Sequence, residues 1–517
     1  MHSIHSGNSA SQKEIVIGEG DLTLAQVTAI ARGKARVAIS KKRNFTGRMD
    51  RSKEVLQSAL DAGEPIYGVT TGYGAACGNR IKKHNTEELG NNLIKYHGCG
   101  TGAFLGIEET RASMACRLAC FARGYSGVST NLLHALAALL NKGITPLVPS
   151  LGSVGASGDL TPMSYIAACL AGDREVMYKG RRMRSGKALS LAGLSPYRFL
   201  PKEPLGMMNG TSVMTGIAVL ALGKSRVIAD AALAATALSL HALMGHERHF
   251  HATVTDSKPH PGQSLTGERL RNLLSCTDCP PESSREDDLQ DPYSVRCSPQ
   301  ILGVFYDALE WIEQWVSREV NSANDNPLAD GDNGEMFMGG NFYGGHIAFA
   351  MDALKSALAS VADMADRQMA LLVDPRFNRE LPGNLVKAQG EKQLLNHGFK
   401  GMQITASALT AEALKNTMPA SSFSRSTESH NQDKVSMGTI AARDAALQGE
   451  LVSRVVAIQL MASVQACELR GGLDRRPKLA SLVKAVRKIV HETLYDRPMD
   501  ADIETLAHAL PELVSTL

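Results

Sequence analysis

The sequence predicts a mainly α protein built on a bundle of long helices, and three observations carry that expectation. Three long stretches, Val213 to Leu243, His346 to Leu372 and Thr439 to Leu469, are rich in Ala, Leu and Met, with charges at solvent-compatible spacing, as suits long helices packed on one another. Aromatic residues make up 5% of the 517 positions, which favours a helical bundle over a β-rich core. One short segment, Glu175 to Leu191 with its V-M-Y-K-G-R-R-M run, reads as a small hairpin.

Taken in order, residues 1–20 form a tail, with Ile15 to Ile17 as at most one short strand. Residues 21–210 make a smaller, loop-rich N-terminal part. There Leu22 to Ala62 is helical from a Thr23 start. The glycine-studded Tyr67 to Gly78 loop follows, and then a helix over Glu87 to Cys99 that ends at Gly98 and Gly100. Glu109 to Lys142 reads as two helices divided near Gly124 to Ser129, and Ser164 to Gly172 as another. Residues 211–475 form the long-helix core, interrupted by a polar surface loop over Ser275 to Gln290. Residues 476–517 return to short helices ended by prolines and a polar tail.

Composition narrows the function classes. A net charge of +3, from 55 basic and 52 acidic side chains, gives no strong field for nucleic acid or an anionic membrane, and a small polar substrate fits better. Nine scattered cysteines argue against a disulfide framework and for a reducing compartment. Cys276 and Cys279 form a C-x-x-C that lacks the second pair or clustered histidines of a zinc site, so no metal is expected. No secretory signal opens the chain and no run of eighteen apolar residues interrupts it, so a soluble, cytoplasmic protein is expected.

The run Gly152 to Ser164, G-S-V-G-A-S-G-D-L-T-P-M-S, carries the chemistry. Ala156, Ser157 and Gly158 allow a sharp bend. Attack of the Gly158 amide nitrogen on the Ala156 carbonyl, with loss of two waters, produces a 4-methylideneimidazole-5-one (MIO), an electrophile that no ordinary side chain supplies. Asp159 is placed to hold the bend by a local hydrogen bond, and Pro162 limits backward extension of the next helix. The tripeptide alone reads first as a glycine-rich turn before a helix, but G-S-V-G-A-S-G-D-L resembles the cofactor loop of the aromatic amino acid ammonia-lyases and aminomutases, the family of histidine, phenylalanine and tyrosine ammonia-lyases.

The resemblance extends over roughly Pro65 to Gly438 and implies a role for each matched residue. Y-G-V-T-T-G-Y-G supplies Tyr67 as the base for the substrate β-proton. Its pKa must then fall from about 10, through nearby cations or donors. Q-D-P-Y-S-V-R-C supplies Arg296 for the α-carboxylate, with Tyr293 and Gln290 near electrophile and substrate. M-M-N-G-T-S gives Asn209 as a donor to the electrophile's oxygen, and G-G-N-F gives Phe342 against the cofactor with Asn341 nearby. S-T-E-S-H-N-Q-D contributes Gln432, and Glu412, seven residues before Pro419, matches a glutamate beside the substrate amine or ring. The resemblance also implies the central helix bundle of the ammonia-lyase and fumarase-like type, no dissociable cofactor, and a homotetramer with shared sites.

Two adjacent residues that meet the substrate ring in the family map to Tyr96 and His97. An imidazole there can bond a phenol or an imidazole nitrogen, which disfavours phenylalanine. Tyr96 departs from the Ser-His pair of histidine enzymes, so L-tyrosine, converted to 4-hydroxycinnamate, is the expected substrate. Histidine ammonia-lyase and tyrosine 2,3-aminomutase are the alternatives within the family. An argininosuccinate-lyase or fumarase relative lacks its signature loop here, and a non-catalytic helical scaffold is the alternative of another class.

Overall fold

A parallel strand pair opens the chain in the computed structural model, which describes residues 13–277 and 289–515. Strand β1 (Lys13–Ile17) lies beside β2 (Ala35–Ile39), with Ile15 opposite Val37. The helix between them, Leu24–Ala31, starts where expected. Thr23 Oγ1 accepts from the Gln26 N–H at 3.2 Å while the Gln26 side chain accepts from the Thr23 N–H at 2.9 Å, a capping box. Continuous helix over Leu22 to Ala62 does not form. Ala35, Val37 and Ile39 are buried with Arg36 exposed, a period-two pattern that pairs with β1 before helix resumes at Arg43–Asp61.

These elements belong to the first of two units, which takes the described residues up to Leu220 with Gln314–Met351 and Pro419–Arg443. The pair of helices expected between Glu109 and Lys142 is present as Ile107–Ala122 and Thr130–Lys142. Buried Arg111 donates to the carbonyls of Ile30 and Ala31 at 2.8 Å each and of Leu140 at 3.1 Å, so one guanidinium serves the open C-terminal ends of two helices. The hairpin is shorter than expected. Glu175–Tyr178 pairs with Arg181–Arg184, Thr145–Pro146 adds a third strand, and Ser185–Leu191 is helix, where Lys, Ala and Leu favour a helical turn that buries Ala188 and Leu189.

The second unit takes Ala221–Glu313, Asp352–Met418 and the described residues from Asp444 onward. The three anticipated long helices run over Ser212–Ala242, Gly345–Val373 and Gly438–Arg470. A fourth, Ser298–Val320, was not anticipated. Its buried Leu302, Phe305, Leu309, Ile312, Val316 and Val320 recur at threes and fours among charged positions, an amphipathic rather than apolar-rich signature. A polar seam crosses the core of this unit. Ser239 and Ser463 share a hydrogen bond at 2.9 Å, and Thr236 at 3.2 Å and the Gln459 amide both donate to Gln368 Oε1, which fixes the register of otherwise interchangeable Ala and Leu surfaces. Pro477–Arg487 and Asp500–Val514 are the expected short C-terminal helices.

Cysteines 77, 99, 116, 120, 169, 297 and 467 are free, whereas Cys276 is disulfide-bonded, an exception to the expectation of unpaired thiols. Residues 1–12 of the expected tail, 278–288 of the expected surface loop with Cys279, and 516–517 lie outside the described residues.

Candidate active site

Gly152 to Asp159 forms a loop that runs into the helix Leu160–Leu170, which takes in the rest of the run to Ser164. Ser157 (φ 49°) and Gly158 (φ 76°) are both left-handed, so the chain doubles back at the tripeptide where ring closure is expected. Main-chain bonds hold the reversal: Gly210 N–H donates to the Ser157 carbonyl at 3.1 Å, and Asp159 N–H donates to the Gly210 carbonyl at 2.8 Å. A Cβ on Gly158 would run into that same Gly210 carbonyl. Among the described residues no backbone hydrogen bond engages the Gly158 N–H, which leaves the expected nucleophile uncommitted.

Asp159 does not act through the local bond expected of it. It is fully buried, and its carboxylate accepts from Val213 N–H at 2.8 Å, from Met214 N–H at 2.9 Å and from the Thr439 hydroxyl. Two orphan amides in the first turn of Ser212–Ala242 thereby find a partner. Burial pushes the Asp159 carboxyl up to about 6, against the pull of Thr439, Met214 and Val213. Arg117, also fully buried, donates to the Asn209 carbonyl at 2.9 Å and the Gly206 carbonyl at 3.2 Å. It anchors the segment that clamps Ser157. Asn209 is 3% exposed and its Oδ1 has no hydrogen-bond partner. Gln432 Nε2 donates to Ser157 Oγ at 3.1 Å. A backbone cradle too tight for a side chain, with the uncommitted buried Asn209 amide beside it, fits the MIO group.

Tyr67 stands in a second loop of the same unit. Its phenol oxygen accepts from Gly74 N–H at 2.8 Å, and its ring meets Tyr73 edge-on at 6.4 Å. The expected lowering of its pKa is not what the surroundings produce. Burial raises it, the Gly74 donor opposes this, and the Glu428 charge raises it further. Tyr96 and His97 close the helix Thr86–Tyr96, their rings 4.5 Å apart. Burial, with Tyr67 and Glu428 as lesser causes, pushes Tyr96 up to about 12, and burial brings His97 down to about 4, so its imidazole is neutral over the physiological range. Asn341 and Phe342 also lie in this unit, with Asn341 Nδ2 donating to the Ala323 carbonyl at 3.0 Å.

Gln290, Tyr293, Arg296 and Glu412 lie in the second unit. Arg296 ends the short helix Tyr293–Arg296 and stacks 4.6 Å over the Tyr293 ring, and its buried Nε has no partner. Gln290, Tyr293 and Arg296 line a cavity of about 870 Å³ with Arg376, Phe377 and Arg470. Glu412 is exposed on the helix Lys400–Lys415. Sequence reasoning overlooked Arg117, the distant partners of Asp159, and Glu428. Arg117 was signalled by a lone charge in the apolar M-A-C-R-L-A-C-F run. Glu428 stands in the same S-T-E-S-H-N-Q-D stretch from which Gln432 was taken.

Residues 22–488 match the aromatic amino acid lyase family. The chain is 38% identical to a histidine ammonia-lyase of Sorangium cellulosum, over 95% of this chain and 96% of that protein. It superposes on the tyrosine aminomutase of Streptomyces globisporus with a TM-score of 0.90 at 34% identity, covering 97% of each chain. A histidine ammonia-lyase from Trypanosoma cruzi superposes with a TM-score of 0.88 at 29% identity, covering 97% of this chain and 95% of that one.

Proposed function

The chain belongs to the aromatic amino acid lyase family and is a carbon–nitrogen lyase; on that premise we propose that it releases ammonia from L-histidine, with an electrophile formed from Ala156, Ser157 and Gly158. The observation that carries the choice of substrate is the 38% identity, over nearly the full length, to a protein named histidine ammonia-lyase. It favours the histidine alternative over the tyrosine reading reached from Tyr96. The neutral His97 imidazole supports it as well. One ring nitrogen donates and the other accepts, which complements an imidazole substrate.

Once formed, the MIO group would supply an electrophile for the substrate amine, which would make that amine a better leaving group. Asn209 would hold the group by an uncommitted buried amide, and Gln432, which donates to Ser157 Oγ before ring closure expels that oxygen as water, would stand beside it. Tyr67, as phenolate, takes the β-proton. Because burial disfavours that phenolate, the rate rises with pH while Tyr67 titrates. Arg296 receives the carboxylate as a planar fork. We also infer a homotetramer, supported by large apolar side chains that one chain leaves exposed, among them Val304 at 66%, Ile404 at 65% and Phe349 at 59%; light scattering on active enzyme checks it.

L-tyrosine remains as a second reading, favoured by bulky Tyr96 and by the similarity to a tyrosine aminomutase. Product absorbance with histidine, tyrosine and phenylalanine separates the two, and kcat/KM for histidine should lead by tenfold or more. His97→Phe should cut that lead by about ten- to a hundredfold, the loss of a buried polar partner worth roughly 1 to 3 kcal/mol. Turnover of tyrosine without histidine overturns the proposal, and chromatography for β-tyrosine then distinguishes lyase from aminomutase.

A further inference from the structure

The segment that carries Arg296 cannot hold its own shape. Its helix, Tyr293–Arg296, is four residues long and Pro292 at its start offers no side-chain cap, so it would not persist alone in water. Two sets of contacts hold it instead. Asp291, 6% exposed, accepts from the His246 N–H at 2.6 Å, and the Asp291 N–H donates to His249 Nε2 at 3.2 Å. Gln368, fully buried, donates from Nε2 to the Ser294 carbonyl at 2.7 Å, a group that so short a helix would otherwise leave open. The direction of that amide is fixed. Its Oε1 accepts from the Thr236 hydroxyl at 3.2 Å and from the Gln459 amide, so the NH₂ is turned toward Ser294. Thr236 and Gln459 are themselves fully buried and belong to two other long helices, Ser212–Ala242 and Gly438–Arg470. The polar seam of the core therefore ends on the short helix. Leu371, one turn beyond Gln368 on Gly345–Val373, lines the same cavity as Tyr293 and Arg296.

We propose that Gln368 is a positioning residue for the carboxylate site: through Ser294 it fixes the helix that presents Arg296 and Tyr293 to the substrate. The role rests on the reading of Arg296 as the carboxylate partner, although the grip on Ser294 can be tested without it. A guanidinium fork recognises a carboxylate when two N–H groups meet two oxygens at once. A small rotation of the helix that carries it therefore weakens binding before it touches any step of bond breaking. Displacing Ser294 would leave the buried Gln368 amide without its acceptor, so the seam resists that rotation.

Amide hydrogen exchange on the purified full chain reads the grip, and steady-state kinetics with whichever aromatic amino acid is turned over reads its consequence. In Gln368→Leu, exchange at the Arg296 and Cys297 amides, which bond back to the Pro292 and Tyr293 carbonyls, should quicken about tenfold, the scale of one lost buried bond. KM should rise about tenfold with a smaller fall in kcat. Gln459→Met removes one of the two donors to Gln368 Oε1 and should move both readouts the same way by about two- to threefold. It keeps the test available if the leucine variant does not fold. Gln465→Leu is the matched control. Gln465 is equally buried, lies on the same helix as Gln459, donates to the Leu385 and Thr493 carbonyls and accepts from the Thr493 N–H, so its loss should lower Tm comparably and leave KM unchanged. Gln368→Leu added to Arg296→Lys should raise KM little beyond Arg296→Lys alone, because both act on one contact. Unchanged exchange at residues 296 and 297 in Gln368→Leu and Gln459→Met overturns the grip whatever Arg296 binds. Faster exchange with unchanged KM, or a KM in Gln465→Leu that rises as far as in Gln368→Leu, overturns the positioning role. An Arg296→Lys enzyme with wild-type KM overturns the carboxylate reading and that role with it, and exchange then still decides the grip.

Discussion

The loop proposed to form the electrophile and the loop proposed to supply the base are both short glycine-rich runs, yet they are held by opposite means. Around Ser157 and Gly158 the clamps are main-chain bonds to Gly210 and a fully buried carboxylate, Asp159. Around Tyr67 they are bonds from loop amides to side chains, one of them the exposed Glu428. A loop that must react with itself needs a backbone fixed in dry surroundings, where each orphaned buried group costs about 1 to 3 kcal/mol. A loop that must admit a substrate needs clamps that water can replace.

The largest effect that tests this contrast is expected at Gly158. Gly158→Ala places a Cβ against the Gly210 carbonyl at a left-handed position, so ring closure should fail. Intact mass should equal that of the unmodified chain rather than fall two waters short. The accompanying loss of kcat should be roughly four orders of magnitude, about 5.5 kcal/mol of transition-state stabilisation. A fully active variant lighter by two waters breaks the comparison. Tyr67→Phe comes next. It should leave the mass loss intact while kcat falls about 10²- to 10⁴-fold, the usual span for a general base, and near-normal turnover would refute the assignment.

The smallest effect is expected at Asp159. Asp159→Asn turns an amide NH₂ toward donors that now meet oxygen, and urea unfolding at pH 5 should show a loss of about 2 kcal/mol. Because burial raises the folded-state pKa of Asp159 to about 6, the folded chain binds more protons than the unfolded one between roughly pH 4 and 6. Wild-type stability from this group therefore declines as pH rises through that window. The asparagine variant cannot ionise, so the gap should narrow toward pH 7. A gap that widens instead contradicts the buried setting assigned to this carboxylate.

Local pattern made much of the molecule legible. Apolar richness located three long helices to within a residue or two of their ends, and Thr23 announced the first capped helix. The ladder over Ala35–Ile39 was hidden because its partner strand lies across an intervening helix. Ser298–Val320 was hidden because its apolar stripe is diluted by charges. Glu428 went unread because a glutamate in a polar stretch looks solvated until the loop it touches, 353 positions away, is known.

Residue type and order by themselves determined the helical class, the small-residue tripeptide proposed to cyclise and the motif set that marks the family, since each depends on neighbours within a few positions. Tertiary structure alone decided that Asp159 serves amides 54 and 55 positions distant and a hydroxyl 280 away, and that Gln432 meets Ser157 across 275. It also reversed the direction of the Tyr67 pKa. Burial and charge proximity are properties of space, and no periodicity along the chain encodes which distant segment will exclude water from a phenol or bring a carboxylate beside it.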